Sequence, residues 1–476
     1  MTMEIFKSKP VEGGQQVVPS SLARIGEWIY RFIVFPIGQI IIFIAGAAIL
    51  LTVLAYLLAL LVPEPRPGIN LSTQITQQLP GMIITGISIG FVYSMIALGY
   101  TLVYGVLKFI NFAHSEIFMV GSVVGFEVMR RIYDGGIIDF FSPVILILIT
   151  VVLAMLASGT LAVIIERIAY RPLRGAPRLV PLITAIGISY ILIDSTRAIM
   201  TITRNDFNLT YPTNNISWLS TPIPLTFNGI VMGGTHFGGT AYEEITVDGQ
   251  TVGEFTFDET VYERLTVGGI TIGGTPIRNS RDLRLITVNG VTAESVQIGG
   301  QEITDIIQSG NTVAVRVTSI IVVISAVIML LFLNYFVNGT KMGRGIRAVS
   351  QDQATAGLMG INVNRMISLT FFIGGAFGGA AGALFGLNAT TVTPYVGFIP
   401  GVKAFTAAVL GGIGNVTGAL LGGLTLGLIE SFLNGVLVYF PALGQRYTDV
   451  FAFSVLILIL IFRPSGILGE RVDEKV

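Results

Sequence analysis

The chain has 476 residues, of which 28 are Lys or Arg and 28 are Asp or Glu; hydrophobic residues make up 52%, charged residues 12%, and the mean hydropathy is +0.77. Soluble domains carry about 25% charged residues, so one large soluble globule is excluded. With no cysteine and two histidines, disulfides, thiolate catalysis and cysteine metal sites are excluded, and an all-protein zinc site lacks its usual ligands.

Apolar runs of membrane-crossing length recur along the chain, each able to cross a hydrocarbon layer of about 30 Å as a helix. The expected fold class is an all-α polytopic membrane protein of about ten transmembrane helices with a β-rich extramembrane insertion. Residues 1–35, with Lys7, Lys9, Arg24 and Arg31, read as a cytoplasmic N-terminal segment. The run behind it is too long and too far in for a cleavable signal. Residues 36–203 carry helices 1–5, with spans at 36–62, 79–107, 112–130, 141–166 and 180–203. Residues 204–312 form the insertion, and 313–463 carry helices 6–10, at 313–337, 366–388, 398–412, 417–440 and 449–463. Residues 338–365 form a cytoplasmic loop and 464–476 a cytoplasmic tail.

Basic residues of short loops collect on the cytoplasmic side. With the N-terminus inside, Arg167, Arg171, Arg174 and Arg178 fall inside, as do Lys341, Arg344, Arg347 and Arg365 and the tail residues Arg463, Arg471 and Lys475. Arg130 and Arg131 fall outside and are the exception.

The 204–312 stretch holds five arginines against twelve acids, a net of 5 − 12 = −7, and contains no lysine. Val, Thr and Ile alternate with polar residues, and Asp248-Gly249, Gly268-Gly269 and Asn289-Gly290 are dipeptides that suit tight hairpin turns. Recurring Gly-Gly-Thr, as at 233–235 and 273–275, points to a small repeated β unit on the non-cytoplasmic face.

The chain has no Gly-x-x-x-x-Gly-Lys-Ser/Thr, so it cannot cradle ATP phosphates by a Walker loop. No Ser/His/Asp, paired-carboxylate or His-Glu-x-x-His arrangement stands out either, and an enzyme reading rests on nothing specific. Between the spans at 337 and 366, Ser350 with Gln353 three residues later makes a capping box. Ala354, Ala356 and Leu358 follow as a short helix, and Gly360 supplies a left-handed stop. Two readings fit this helix: docking into a groove on a soluble cytoplasmic partner, or a connection between two spans.

Asn111, His114 and Glu116 interrupt two apolar stretches. Either Asn111 caps the next helix with Glu116 facing its dipole, or the group marks a pathway or gate. Lys403 invites the same two questions, a place on the path or a snorkelling lysine near a span end. Gly374, Gly375, Gly378, Gly379 and Gly382 recur at helical spacing and suit close helix packing, as do Gly418, Gly422 and Gly423. The glycines at 411–418 around Asn415 should break a helix, giving either a tight cytoplasmic turn or a broken helix lining a substrate route.

Ile110-Asn-Phe-Ala-His-Ser-Glu116, Glu166-Arg-Ile-Ala-Tyr-Arg-Pro172, Ala404-Phe-Thr-Ala-Ala-Val-Leu-Gly-Gly-Ile-Gly414 and Arg463-Pro-Ser-Gly-Ile-Leu-Gly469 resemble the permease subunit of the high-affinity branched-chain amino acid ABC importers. The likeness covers most of 79–203 and 313–476. It implies a bacterial inner-membrane importer of branched-chain or other neutral amino acids, with urea or short amides as the alternative substrates. It also implies a second homologous permease chain, two cytoplasmic ATPases carrying ATP and Mg, and an extracytoplasmic substrate-binding protein. No cofactor is expected on this chain itself, and no nucleic acid partner. Ser350 to Gly360 matches the loop through which such permeases contact their ATPase. Ser115 stands where the family usually has Gly, and the insertion is not part of the usual family core. An ion-coupled carrier would be expected to place carboxylates deep in its spans, where Asp194 and Glu430 are the few acids, and an adhesion protein would not need the rest of the chain.

Overall fold

The computed structural model describes residues 26–62, 71–136, 142–177, 179–212, 317–412, 414–440, 444–462 and 466–468, together with strand segments between 222 and 316. Most of the expected N-terminal segment and tail, Arg178, and the turns between the strands lie outside the described residues. The first half contains α1 (Phe35–Leu61), α2 (Leu71–Leu107), α3 (His114–Asp134), α4 (Pro143–Ile165) and α5 (Leu179–Arg204). The second contains α6 (Val317–Gly339), α7 (Lys341–Gln351), α8 (Gln353–Leu358), α9 (Val363–Ala389), α10 (Phe398–Gly411), α11 (Val416–Leu437) and α12 (Thr448–Phe462).

Among the described residues seven helices are long and apolar enough to cross a membrane. Helix α3 occupies an expected span but carries Glu116, Glu127, Arg130 and Arg131. Helices α10 and α12, of 14 and 15 residues, rise only about 21 and 22 Å, short of a hydrocarbon layer of about 30 Å. They are the shorter apolar helices that stand beside the seven. The span expected from 313 starts instead at Val317, because Asn311–Arg316 is a strand paired antiparallel with Pro222–Phe227.

Helix α9 is the axis of the bundle: 89% of its membrane-length window is buried, against 17% for α5 at the periphery. Its glycines let neighbours touch backbone to backbone. A Cβ on Gly379 would lie 2.5 Å from the Ala154 carbonyl oxygen of α4, and one on Gly382 would lie 2.1 Å from that of Phe118 in α3. A Cβ on Gly422 of α11 would similarly meet the Ala407 carbonyl of α10 at 2.0 Å. The packing role expected of these glycines is what the helix crossings require.

The two ends of the bundle differ in charge. At one end, buried Glu166 accepts hydrogen bonds from Arg171 (3.1 Å), Arg174 and Ser368 (2.7 Å), tying the end of α4 to the start of α9. Helix α7 lies at the same end, with Gly343, Ile346 and Val349 buried at helical spacing and Arg344 and Arg347 outward. Trp28 and Phe32 pack on Tyr335 near the end of α6, so the chain enters α1 from this basic end too. At the other end, Leu209–Thr210 pairs with Thr391–Val392, and the Tyr211 hydroxyl donates to the Ser122 carbonyl at 2.5 Å. Arg130 and Arg131 also lie there, each in an ion pair, with Asp134 (2.9 Å) and Glu127 (3.5 Å). Local pairing accounts for this exception to the distribution of basic residues.

Between 222 and 316 the described strands pair antiparallel. Ile245–Val247 pairs with Gln250–Val252 across residues 248–249, and Ile286–Val288 with Val291–Thr292 across 289–290, as the Asp-Gly and Asn-Gly dipeptides lead one to expect. Gly268-Gly269 does not join such a pair: Leu265–Val267 pairs with Ile230–Met232 and Thr240–Tyr242 instead. Thr271–Ile272 pairs with Thr275–Pro276.

Candidate functional site

Helix α3 starts recessed into the bundle. The His114 ring lies against Gly99, where a Cβ would come within 2.2 Å of Nε2, and Gly99 is about 12 Å along α2 from its end at Leu107. Residues 108–113 therefore double back along α2, through Lys108 with φ +57°. Irregular backbone at such depth is tolerated where it is buried in protein or lines a water-filled route.

Asn111 does not cap α3 with its side chain. Its Oδ1 accepts from the Tyr170 hydroxyl at 2.6 Å, and α3 has no side-chain cap. Glu116 Oε1 accepts from the Ser189 hydroxyl of α5 at 3.2 Å. Asn111 Nδ2, His114 Nε2 and Glu116 Oε2 are buried and have no hydrogen-bond partner among the described residues. Three unsatisfied polar atoms within one short segment are costly, and such groups concentrate at functional places. Beside them a narrow cleft, with about 230 Å³ of space not filled by atoms, open solvent included, is lined by Tyr100, Tyr104, Ile110, Asn111, Phe405 and Ala408.

Ser115 fits because its neighbour is bare: a Cβ on Gly401 of α10 would lie 2.1 Å from the Ser115 Cβ. The Ser115 hydroxyl donates to the Phe112 carbonyl at 2.7 Å, within the turn that starts α3.

Lys403 is not a snorkelling lysine. Its Nζ lies 2.8 Å from Glu430 Oε1 of α11 and 2.7 Å from Asp449 Oδ1 of α12. The Tyr93 hydroxyl of α2 donates to Glu430 Oε2 at 2.9 Å. Glu430 was visible in the sequence as one of few acids within a span, but its partners lie on two other helices, Lys403 on α10 and Tyr93 on α2. Asp194, the other such acid, is exposed and pairs with Arg197 at 3.6 Å.

In the basic loop, the cap of α8 is Asp352 rather than Ser350. Asp352 Oδ1 accepts from the backbone N–H groups of Ala354 (2.8 Å) and Thr355 (3.2 Å), while the Ser350 hydroxyl bonds back to the Arg347 carbonyl inside α7. Asp352 competes better because it sits directly before the helix in extended backbone, the geometry a cap needs. These hydrogen bonds hold its carboxyl below the usual aspartate range. Gly360 takes the left-handed stop with φ +82°, and Ile361 N–H bonds the Ala356 carbonyl. Gln353 Nε2 donates to the Val106 carbonyl at 3.1 Å. Ala354 is exposed; Ala356 is buried against the bundle, which takes it off the outward face of α8. Leu358 and Met359 stand out, 88% and 79% exposed.

The break expected at 411–418 is present as a tight turn. Asn415 caps α11 by accepting from Gly418 N–H at 3.0 Å, and its Nδ2 donates to the Leu468 carbonyl at 3.1 Å. Ile467 and Leu468 N–H groups bond the Leu410 (2.7 Å) and Gly411 (3.1 Å) carbonyls, so the tail closes the end of α10.

A glycine-packed bundle with short inner helices, intramembrane ionisable groups and a capped helix presented at its basic end defines a multi-pass transport permease. The family model described as "Branched-chain amino acid transport system / permease component" matches residues 82–245 and 270–460, and the chain belongs to that family. Its members are transporter subunits, not enzymes. The chain is 33% identical over 394 residues to the high-affinity branched-chain amino acid transport system permease protein BraD of Pseudomonas aeruginosa, covering 83% of this chain and 97% of that protein. It is 32% identical over 394 residues to LivH of Escherichia coli (strain K12), with 83% and 96% covered. Ribose import permease protein RbsC of the same strain is similar over a shorter stretch, 30% over 129 residues, 25% of this chain and 40% of that protein. No solved structure matches the chain closely enough to compare.

Proposed function

We propose that the chain is the permease subunit of an ATP-driven importer of branched-chain amino acids in the bacterial inner membrane, with its basic end cytoplasmic. It works with a second homologous permease chain, two ATPases that bind ATP and Mg, and an external substrate-binding protein. Helix α8 is the coupling element, and the observation that carries this reading is its construction. Asp352 and Gly360 fix its two ends, Ala356 seats it on the bundle, Gln353 ties it to α2, and Leu358 and Met359 face outward. Exposed apolar side chains on a fixed helix suit a groove on a partner. Movement of the ATPases shifts α8 and, through Gln353, the end of α2. Asn111, His114 and Glu116 then lie where α2, α3 and α10 bound the path, and Asn415 holds the turn beneath it.

In this reading the 204–312 insertion is an extracytoplasmic β-rich domain that docks or orients the binding protein, carried on the ribbon of Pro222–Phe227 and Asn311–Arg316 that leads into α6. Its net charge of 5 − 12 = −7 supports a polar contact. Deleting 210–308 without change in uptake or in affinity for the binding protein would remove this role.

The test of the whole reading is affinity purification from gently solubilised membranes followed by ATP-driven leucine uptake in proteoliposomes, with Leu358→Asp as the variant. Recovery of the ATPases and second permease with the native chain, and their loss with Leu358→Asp, is the expected outcome. A lone chain that transports without ATP would overturn it.

A further inference from the structure

Lys403 and Glu430 place a cation and a carboxylate inside the helix bundle, with the half-exposed Asp449 beside them at the start of α12, and the coupling mechanism uses none of them. Glu430 lies about 20 Å along α11 from its start and about 10 Å from its end, at a depth where hydrocarbon would surround a helix standing alone. Charged groups at such depth face the bundle interior or a water-filled cavity and mark substrate or ion routes. Fastening helices together is a weak reason to keep them, since replacing a buried ion pair by well-packed apolar residues is often neutral or stabilising.

The geometry is open on one side. The side chains of Lys403 and Glu430 are 7% and 11% exposed, but that of Asp449 is 48% exposed. A lysine ammonium has three donors, of which one meets Glu430 and one meets Asp449. Glu430 is filled on both oxygens, by Lys403 and by the Tyr93 hydroxyl. Asp449 has one oxygen on Lys403 and the other without a protein partner among the described residues. A cationic donor and an anionic acceptor thus stand side by side, at the junction of α10 and α12, the two shorter apolar helices.

We propose that this pair is a binding site on the translocation path for the zwitterionic head group of an α-amino acid. Its carboxylate accepts from the remaining Lys403 N–H, and its ammonium donates to the open oxygen of Asp449. Glu430 and Tyr93 are positioning residues that hold Lys403 in place. A zwitterion carries no net charge to desolvate and matches both signs, whereas an uncharged amide offers no cation to Asp449. The assignment rests on the importer reading above.

The test uses the complete importer, with its partner permease, ATPases and binding protein, reconstituted in proteoliposomes; leucine is the substrate and leucine moved per ATP hydrolysed is the readout. Loss of a charged hydrogen bond corresponds to about a 10- to 100-fold fall, expected for Asp449→Asn, with Asp449→Glu, which keeps the carboxylate but displaces it, falling less. The double variant Lys403→Met with Glu430→Met, which removes the buried pair and leaves Asp449, is expected to fall likewise. A native ratio in that double variant or in Asp449→Asn would overturn the site, as would failure of both to assemble with their partners, which makes the network structural. A native importer that moves no leucine defeats the importer reading itself, before any variant is compared.

Discussion

Gly401 lies so close to Ser115 that a Cβ added to it would stand 2.1 Å from the Ser115 Cβ. The contact joins the first turn of α10 to the first turn of α3, and the neighbouring Gly397 likewise leaves room for the Glu116 carboxylate, 2.6 Å from where its Cβ would be. One of the two positions must therefore be small. Ser115 occupies a place where the family resemblance leads one to expect glycine, so in this chain the requirement rests on Gly401. Gly401→Ala is expected to destabilise by about 1–3 kcal/mol through overpacking. Ser115→Gly is expected to restore most of that loss in the double variant. A thermal denaturation cycle over the four proteins measures the coupling; additive effects would show that the two sites do not constrain one another.

Gln353 donates its side-chain amide to the Val106 carbonyl in the last turn of α2, where carbonyls have no partner within the helix. It is the direct link between α8 and a helix that lines the cleft. Gln353→Ala removes one neutral hydrogen bond and is expected to lower leucine uptake per ATP by roughly 2- to 10-fold. ATP hydrolysis by the assembled complex should continue. Equal losses of uptake and hydrolysis would assign Gln353 to assembly instead.

Asp352 titrates below the usual aspartate range because it accepts hydrogen bonds from Thr355 and Ala354. A carboxyl with a lowered folded pKa stabilises its helix fully above the unfolded value, near 3.9, and loses that contribution as pH falls through the folded value. Backbone amides at 354–359 should therefore exchange faster with solvent as the medium becomes more acidic than about pH 4. Asp352→Asn retains a good cap without the titration, and its protection should be flat across the same range. Hydrogen exchange read by mass spectrometry on the assembled complex decides it; parallel pH profiles for the two proteins would refute the role of Asp352.

Much of this arrangement was legible in local pattern, and what was not has a common cause. The apolar runs located the helices because burial in a membrane imposes length and composition on each segment separately. The 411–418 glycines announced their turn, and Gly360 its stop, because backbone conformation is a local property. The Ser350 cap was misplaced because Asp352, two residues on, competes for the same N–H groups, and only the backbone of Asp352 is extended. Lys403 and Asn111 were recognisable as unusual, but their meaning lies in partners far away in sequence: Glu430 and Asp449 for one, Tyr170 for the other. Such contacts arise from how helices pack, and no short spacing encodes them. The recess of α3 escaped for the same reason, since an apolar segment that doubles back reads like one that crosses.

Asn415 has two tasks at the turn between α10 and α11, and its chemistry allows them to be separated. Its carbonyl oxygen caps Gly418, while its amide nitrogen holds the Leu468 carbonyl. Asn415→Asp keeps the cap but has no N–H to offer the tail, so it isolates the tether. Asn415→Ala loses both and is expected to cost about 1 kcal/mol for the cap in addition. Removal of residues 466–476 goes further, because the Leu410 and Gly411 carbonyls lose the Ile467 and Leu468 N–H groups that satisfy them. Because α10 also carries Phe405 at the cleft and Lys403 in the ion network, loosening its end should lower uptake as well as the melting temperature. The expected order of both quantities is native, then Asn415→Asp, then Asn415→Ala, then the truncated chain. A truncated chain that melts and transports like the native protein would show that the tail merely rests on α10 and does not hold it.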